Sequence, residues 1–214
     1  MENFQNYFDF VITNPYDQII KTFGEMIRID NDDISIGGNT ISMEYFRTVG
    51  IPKFVNPYLE DIAIAFNVVS SPLTNVQHVF EKHHLQPPLD LQQNLCLDFY
   101  PPNHEKNKPG EFMFVDLEDY GSIKIYTMYQ QPKTLFVNSS IQQFFMSLTL
   151  YVNRRQCLLQ NDRYTDSNSI SVLNENFYKA LWMIDKRAVP SNIDNIWISS
   201  HETWWTRIYE LIIL

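Results

Sequence analysis

Residues 112–152 carry the clearest structural signal in the chain and read FMFVDLEDYGSIKIYTMYQQPKTLFVNSSIQQFFMSLTLYV. Short runs of apolar residues, partly alternating with polar ones, predict β-strands at 112–116, 121–128 and 134–137. The first two runs are separated by an acid-rich turn at 117–121, which is short enough to join them as a hairpin. We therefore expect three neighbouring strands of one antiparallel-rich sheet.

A helix is predicted directly after the third strand. Its start is marked by a capping box, formed either by Ser139 with Gln142 or by Ser140 with Gln143. Beyond the cap, apolar side chains recur at helical spacing, which predicts a stripe that faces the core: Ile141, Phe144, Phe145, Leu148 and Val152.

The residues before this stretch predict alternating helical and extended segments. A helix is expected over 14–24, because Asn-Pro is a typical helix start and glycine a typical helix end. Apolar alternation at 26–29 and 34–41 predicts extended chain, with a hairpin or tight bend at the Gly-Gly-Asn inside the second stretch. Ser42 is expected to cap a short helix that Gly50 ends.

The remaining segments complete the prediction. Further strands are expected at 62–69 and 95–99, and the polar stretch at 71–88 is expected to be an excursion from the core. Two helices are predicted in the C-terminal part, one around Phe177 and one from residue 202 to the end.

This order of elements is typical of an α+β fold with a single antiparallel-rich sheet flanked by N-terminal and C-terminal helices. The 214 residues are expected to form one domain, with a helical extension from about residue 160. The chain is 44% hydrophobic and 19% charged, which argues against intrinsic disorder. The six glycines form neither of the glycine-rich loops that bind nucleotide phosphates.

The chain is acidic, with 16 Lys and Arg against 25 Asp and Glu and a formal net charge of −9 at pH 7. This charge disfavours direct binding to nucleic acid, because the basic clusters are limited to Arg154-Arg155 and Lys186-Arg187. It favours a cationic protein partner, although the same charge also serves solubility alone.

The sequence contains no pattern that indicates a catalytic, metal or cofactor site. Glu81 and His84 form one ExxH pair, whereas a di-metal site in a helix bundle needs that pair twice. Cys96 and Cys157 have leucine neighbours, which predicts buried thiols and not activated nucleophiles. We therefore expect a protein that is not an enzyme and binds no metal or cofactor.

The acidic clusters are the candidate partner-binding residues. Glu118 and Asp119 lie in the predicted hairpin turn, from which a loop can enter a partner's cleft, and Asp30, Asp32 and Asp33 are the second choice. Two alternative roles for these carboxylates stay open. They are either simply solvated, or they belong to a carboxylate-based hydrolase.

The expected location is the cytoplasm. The N-terminal residues are acidic and contain no basic residue before Lys21, which is unlike a secretory signal. The chain also has no apolar run of the roughly 18 residues that span a bilayer. We therefore expect no membrane partner, and the oligomeric state stays open.

Three segments, taken in order, carry a resemblance to a known family. Thr-Val-Gly-Ile-Pro at 48–52 follows a predicted helix, Val-Asp and Gly-Ser-Ile lie within 115–123, and 136–144 is a strand that ends in an Asn-Ser-Ser cap before an aromatic-striped helix. Together they resemble the Smi1/Knr4 (SUKH) superfamily, and most closely its SUKH-4-type immunity proteins, which carry a helix and Val-Gly-Leu-Pro ahead of the sheet. The resemblance covers 42–152, and 54–110 departs most from it.

The resemblance implies an α+β protein that binds and neutralises a toxin domain of a polymorphic toxin system. Members of this kind carry no catalytic residues, so none is carried over to this chain. Many such toxins are nucleases, and an acidic inhibitor suits the cationic cleft that a nuclease presents to phosphate. The alternative is a Smi1-like regulatory or scaffolding module whose partner is not a toxin.

Overall fold

The fold is given by a computed structural model, in which residues 13–29, 40–54, 56–62, 64, 74–102, 110–128, 132–160, 167–189 and 203–213 are described. In chain order the helices and strands are α1 (Pro15–Phe23), β1 (Met26–Ile27), α2 (Thr40–Thr48), β2 (Ile51–Pro52), α3 (Val76–Lys82), β3 (Leu95–Tyr100), β4 (Gly110–Asp116), β5 (Ser122–Met128), β6 (Lys133–Asn138), α4 (Ile141–Gln160), α5 (Ser167–Ile184) and α6 (Trp204–Ile213). Two 3-10 helices lie at Pro57–Ile62 and Leu89–Leu91. The protein therefore has an α+β fold.

The main sheet has the strand order β3-β4-β5-β6, and every neighbouring pair is antiparallel. The predicted neighbouring strands at 112–116, 121–128 and 134–137 are confirmed as β4, β5 and β6. Asp116 pairs with Ser122 at the end of the β4–β5 hairpin, so residues 117–121 form the turn. This turn protrudes from one end of the sheet.

Helix α4 is the central helix of the fold. It packs against α1, α2 and α5 as well as against β5 and β6. The predicted core-facing stripe is confirmed, because all of its side chains are buried: Ile141, Phe144, Phe145, Leu148 and Val152. The same core contains Phe177 and Leu181 of α5 and Trp204 and Trp205 of α6, so the C-terminal helices share it with the sheet.

The opposite face of the sheet has its own smaller core. Val76, Val79 and Phe80 of α3 are buried there against Phe112 and Phe114 of β4. The sequence predicts an excursion from the core at 71–88, whereas the described part of that stretch covers the sheet. The polar residues account for the exposed side of α3, but its three apolar residues at helical spacing are what fix it in place.

Two predicted boundaries are wrong. Helix α2 begins at Thr40, so residues 40–41, predicted as the end of an extended stretch, are helical, and Ser42 lies inside the helix and is not its cap. Ile62 ends a 3-10 helix and does not begin a strand, because the Asn56 side chain accepts a hydrogen bond from the Tyr58 N–H (3.0 Å) and starts a helical turn at Pro57. The bend predicted within 34–39 and the strand predicted at 65–69 lie outside the described residues.

The predicted role of Gly50 as a helix-ending glycine is confirmed, and the structure adds a second requirement. Its φ angle is +92°, and a Cβ atom at this position would lie 2.3 Å from the carbonyl oxygen of Ile27. This carbonyl belongs to β1, which pairs with β2 directly after Gly50. The glycine therefore allows the β1–β2 ladder to form next to the end of α2.

Gly50→Ala should lower the free energy of unfolding by about 2 kcal/mol or more, through backbone strain and the clash with Ile27. Gly24→Ala is the matched control, since Gly24 also has a positive φ of +73°, but no atom of the described residues lies within 4 Å of the position that its Cβ would take. It should cost about 1–3 kcal/mol through its backbone conformation alone (φ +73°, ψ −129°), and less than Gly50→Ala, which adds the clash with Ile27. Urea unfolding of both variants checks this, and equal losses would contradict the role of the Ile27 contact.

Candidate functional site

Two of the five predicted partner-binding residues lie in the part of the chain that the structure describes. Glu118 and Asp119 lie in the β4–β5 turn, as the sequence predicts. Asp30, Asp32 and Asp33 lie outside the described residues, so their predicted role stays a prediction. The turn, defined as Leu117 to Gly121, is therefore the part of the candidate site whose geometry is known.

The backbone of the turn is fixed by hydrogen bonds from both ends. The Gly121 N–H donates to the carbonyl of Asp116 (2.8 Å), and the Ser122 N–H donates to the carbonyl of Asp119 (2.9 Å). The side chain of Asp116 accepts from the N–H groups of Glu118 (3.0 Å) and Asp119 (3.2 Å). Local hydrogen bonding of this kind is how aspartate favours turns.

Tyr120 has an unusual position in this turn. Its φ angle is +53°, in the left-handed region that a bulky side chain adopts at a cost of about 1 kcal/mol, and Gly121 follows at +80°. Its side chain is 89% exposed. The turn therefore holds a large aromatic ring in solvent on a strained but well-bonded backbone.

The carboxylate of Asp119 is the centre of an ion-pair network. Its Oδ2 atom accepts hydrogen bonds from Ser122 Oγ (2.9 Å) and Arg187 Nη2 (3.2 Å), and Lys124 Nζ lies 3.2 Å away. Lys124 Nζ also contacts Asp116 Oδ2 at 2.7 Å. Asp119 of the turn and Asp116, the last residue of β4, are therefore both paired with cations of the same chain.

These contacts set the protonation of the network. Partial burial alone would raise the pKa of Asp119, but the hydrogen bonds from Ser122, Lys124 and Arg187 and the charge of Lys124 together lower it. Burial alone would lower the pKa of Lys124, and its contacts with Asp116 and Asp119 raise it overall. Asp119 and Lys124 are therefore both charged at neutral pH.

Two side chains of the turn are available to a partner, those of Glu118 and Tyr120. Glu118 is exposed, like Tyr120, while Asp119 is partly buried in the network just described. Sequence reasoning selects the turn for its carboxylates and does not single out Tyr120. The signal for Tyr120 is its place directly before the glycine of a hairpin turn, where side chains point away from the sheet.

A buried polar cluster lies where β6 ends, and we call it the Asn138–Asp185 cluster. The carboxylate of Asp185 accepts hydrogen bonds from Asn138 Nδ2 (3.3 Å), from the N–H and Oγ of Ser139, and from the Arg187 N–H (3.0 Å). Asn138 Oδ1 accepts from Trp205 Nε1 (3.0 Å). The cluster joins β6 to the ends of α5 and α6.

The Asn-Ser-Ser segment thus has a structural role. Of the two predicted capping pairs, Ser140 with Gln143 is the one that caps α4: Ser140 Oγ accepts from the Gln143 N–H (3.2 Å) and donates to Gln143 Oε1 (3.1 Å). Asn138 and Ser139 bind Asp185 instead.

The Asn138–Asp185 cluster is connected to the turn through Arg187. Arg187 lies two residues after Asp185, and its guanidinium both contacts Asp119 and lies 4.4 Å from the ring centroid of Phe136 on β6. Asp119 and Arg187 are 68 residues apart in sequence. No short-range pattern could therefore have predicted their contact.

The other residues that the sequence singled out do not gather into a site. Glu81 accepts a hydrogen bond from Gln77 Nε2 (2.8 Å), and no group of three or more His, Cys, Asp or Glu could hold a metal ion within the described part of the chain. Cys96 is buried and Cys157 is half-buried. Burial raises the pKa of both thiols, so neither is a ready nucleophile at neutral pH.

The basic pair Arg154-Arg155 does not form a surface patch. Arg154 is fully buried, and its Nε donates to Asn174 Oδ1 at 3.0 Å.

Among the helices that the structure describes, none has the length and apolar character needed to cross a membrane. Comparison of the chain with protein-family models, curated proteins and solved structures gives no match.

Arg187→Gln should loosen the turn, because it removes the guanidinium contacts with Asp119 and Phe136. We expect amide hydrogen exchange at Gly121 and Ser122 to rise about two- to fivefold, in keeping with an exposed ion pair. Lys179→Gln is the control, since Lys179 on α5 has an exposed partner, Glu175, and should leave the turn amides unchanged.

The effect of Arg187→Gln on amide exchange in the turn should become smaller as the pH falls. Because the folded protein lowers the pKa of Asp119, the ion-pair contribution is full above the ordinary carboxyl range, about 4, and is lost as pH falls through the lowered value. The ratio of the protection factors of wild type and Arg187→Gln, which removes the intrinsic pH dependence of amide exchange, should therefore be full at pH 6 and approach one in acid. A ratio that grows below pH 4 would contradict this.

Proposed function

We propose that this protein is a cytoplasmic immunity protein, which binds and neutralises a cognate toxin domain of a polymorphic toxin system without catalysing a reaction. One observation carries the proposal. The β4–β5 turn is held by backbone hydrogen bonds and by the Asp119 network, and it nevertheless exposes Tyr120 and Glu118.

A fixed turn with an exposed aromatic ring is well suited to protein binding. Association costs free energy for every loop and side chain that must be ordered, and this turn is already ordered by its contacts with Lys124 and Arg187. Tyrosine is among the residues that dominate interface energetics, because it buries a large rigid area with few rotatable bonds. Tyr120 is therefore the proposed anchor.

The charges of the turn define the partner's complementary surface. Asp116 and Asp119 are neutralised within the chain, so Glu118 is the exposed carboxylate that the turn presents beside Tyr120. The complementary surface has a cation next to an apolar slot. The net charge of −9 would speed association with a cationic domain, and a nuclease toxin, whose cleft must bind phosphate, is one such domain.

Two further observations support a binding function over catalysis. A general acid of a carboxylate-based hydrolase needs a raised pKa, and the contacts of Asp119 lower its pKa, so Asp119 does not suit that role. The segments that resemble the SUKH superfamily have structural roles in this chain, at Gly50 and at the Asn138–Asp185 cluster. The resemblance itself implies a family without catalytic residues.

An immunity gene is expected to lie directly beside the gene of its toxin, so the partner used in the tests is the toxin domain encoded by the adjacent gene. Tyr120→Ala should weaken binding to this domain by about 30-fold or more, mainly through faster dissociation. Binding kinetics with the purified domain measure this. Leu89→Ala is the matched control, because Leu89 is 87% exposed on a different segment and should leave the affinity within about twofold.

The outcomes separate the alternatives. Wild-type protein that fails to bind the adjacent gene's toxin domain would reject the immunity function and leave a regulatory or scaffolding module with a non-toxin partner. Tight binding that Tyr120→Ala does not weaken would instead reject the turn as the contact site.

A further inference from the structure

A five-residue turn is too small to form a stable interface alone. Specific protein complexes typically bury about 800 Å² on each partner, from roughly 20 to 30 residues. The partner of Tyr120 must therefore contact neighbouring surface as well.

The C-terminal end of α5 lies on one side of the turn. Helix α5 ends at Ile184, and Arg187, three residues later, contacts Asp119 at 3.2 Å. The Arg187 guanidinium also covers Phe136, so sheet, turn and helix end meet at this residue. The helix end is therefore adjacent to the turn and held to it by an ion pair.

This end of α5 presents residue types that are enriched in interfaces. Met183 is 57% exposed, and Trp182 is half-buried with Lys186 Nζ lying 4.8 Å from its ring centroid. With Arg187 and Tyr120, the surface combines Trp, Met, Arg and Tyr, which are the side chains over-represented at interface centres.

We propose that the partner-binding surface extends from Tyr120 and Glu118 across Arg187 to Trp182, Met183 and Lys186. This inference rests on the proposed function and deepens it, since the occupant is the same toxin domain. The surface is negative at Glu118 and positive at Lys186. It therefore fits a partner that has a cation opposite Glu118 and a carboxylate opposite Lys186, and not a uniformly basic cleft.

The apolar half of the proposal is tested by Met183→Ala, with Val172→Ala as the matched control. Both residues lie on α5 with nearly equal exposure, 57% and 56%. They are eleven residues apart, which places them on the same side of the helix at a distance of about 16 Å. Binding kinetics with the adjacent gene's toxin domain should show a loss of about three- to tenfold for Met183→Ala and less than about twofold for Val172→Ala.

The charged half is tested by Lys186→Glu, with Lys82→Glu as its control, because Lys82 is an exposed lysine on a different helix, α3. The proposed mixed-charge surface predicts that Lys186→Glu weakens binding about tenfold, whereas a uniformly basic cleft predicts that it strengthens binding. Helix α3 covers the opposite face of the sheet, so the change at Lys82 should have an effect smaller than that at Lys186.

The results distinguish the extended binding surface from the proposed immunity function on which it rests. Stronger or unchanged binding by both Lys186→Glu and Met183→Ala, with a loss for Tyr120→Ala, would overturn the extension onto α5 and leave the immunity function in place. No binding by the wild type would overturn both. Losses for Met183 and Lys186 that exceed those of their controls support the extended surface.

Discussion

The hydrogen bonds to the buried carboxylate of Asp185 are the interaction on which the rest of the structure depends. The residue is 3% exposed, and a buried charge is unfavourable by several kcal/mol unless hydrogen bonds satisfy it. Asn138, Ser139 and Arg187 supply those bonds. Two of the hydrogen bonds to Asp185 come from Ser139, two residues before the start of α4, where the helix dipole favours negative charge. Three elements therefore converge on one side chain.

This convergence explains how the fold positions the turn. Asn138 binds Trp205 of α6, so the C-terminal helix is tied to the end of β6. The segment directly after α5 carries both Asp185 and Arg187, and the Arg187 side chain contacts Asp119 in the β4–β5 turn. A surface loop is usually among the more mobile parts of a protein. Here the β4–β5 turn is joined by the Asp119–Arg187 ion pair to a residue that lies two positions after the buried Asp185. This connection gives the proposed contact residues a fixed orientation.

Much of the fold was predictable because its signals are local. Strands β4, β5 and β6 follow from apolar runs and a short turn, and α4 follows from its capping box and its stripe from Ile141 to Val152. The apolar run beginning at Ile62 misled the prediction, since the Asx turn at Asn56 decides the local structure there. Tertiary contacts also gave α3 a role that its polar sequence concealed.

The candidate site was predictable only in part. The position of Glu118 and Asp119 in a hairpin turn follows from the sequence, and the contact of Asp116 with Lys124 follows once the hairpin register is known. The contact with Arg187 does not, because it depends on how α5 packs 68 residues later. The sequence therefore located the turn but could not show which of its carboxylates is engaged within the chain.

Equilibrium urea unfolding of Asp185→Asn, followed by tryptophan fluorescence, tests the central role of this carboxylate most directly. Asparagine keeps the shape but replaces one acceptor oxygen with an amide that faces N–H donors. If Asp185 holds β6, α4 and the C-terminal helices together, the free energy of unfolding should fall by about 2–4 kcal/mol. A variant that unfolds within about 0.5 kcal/mol of the wild type would contradict this account.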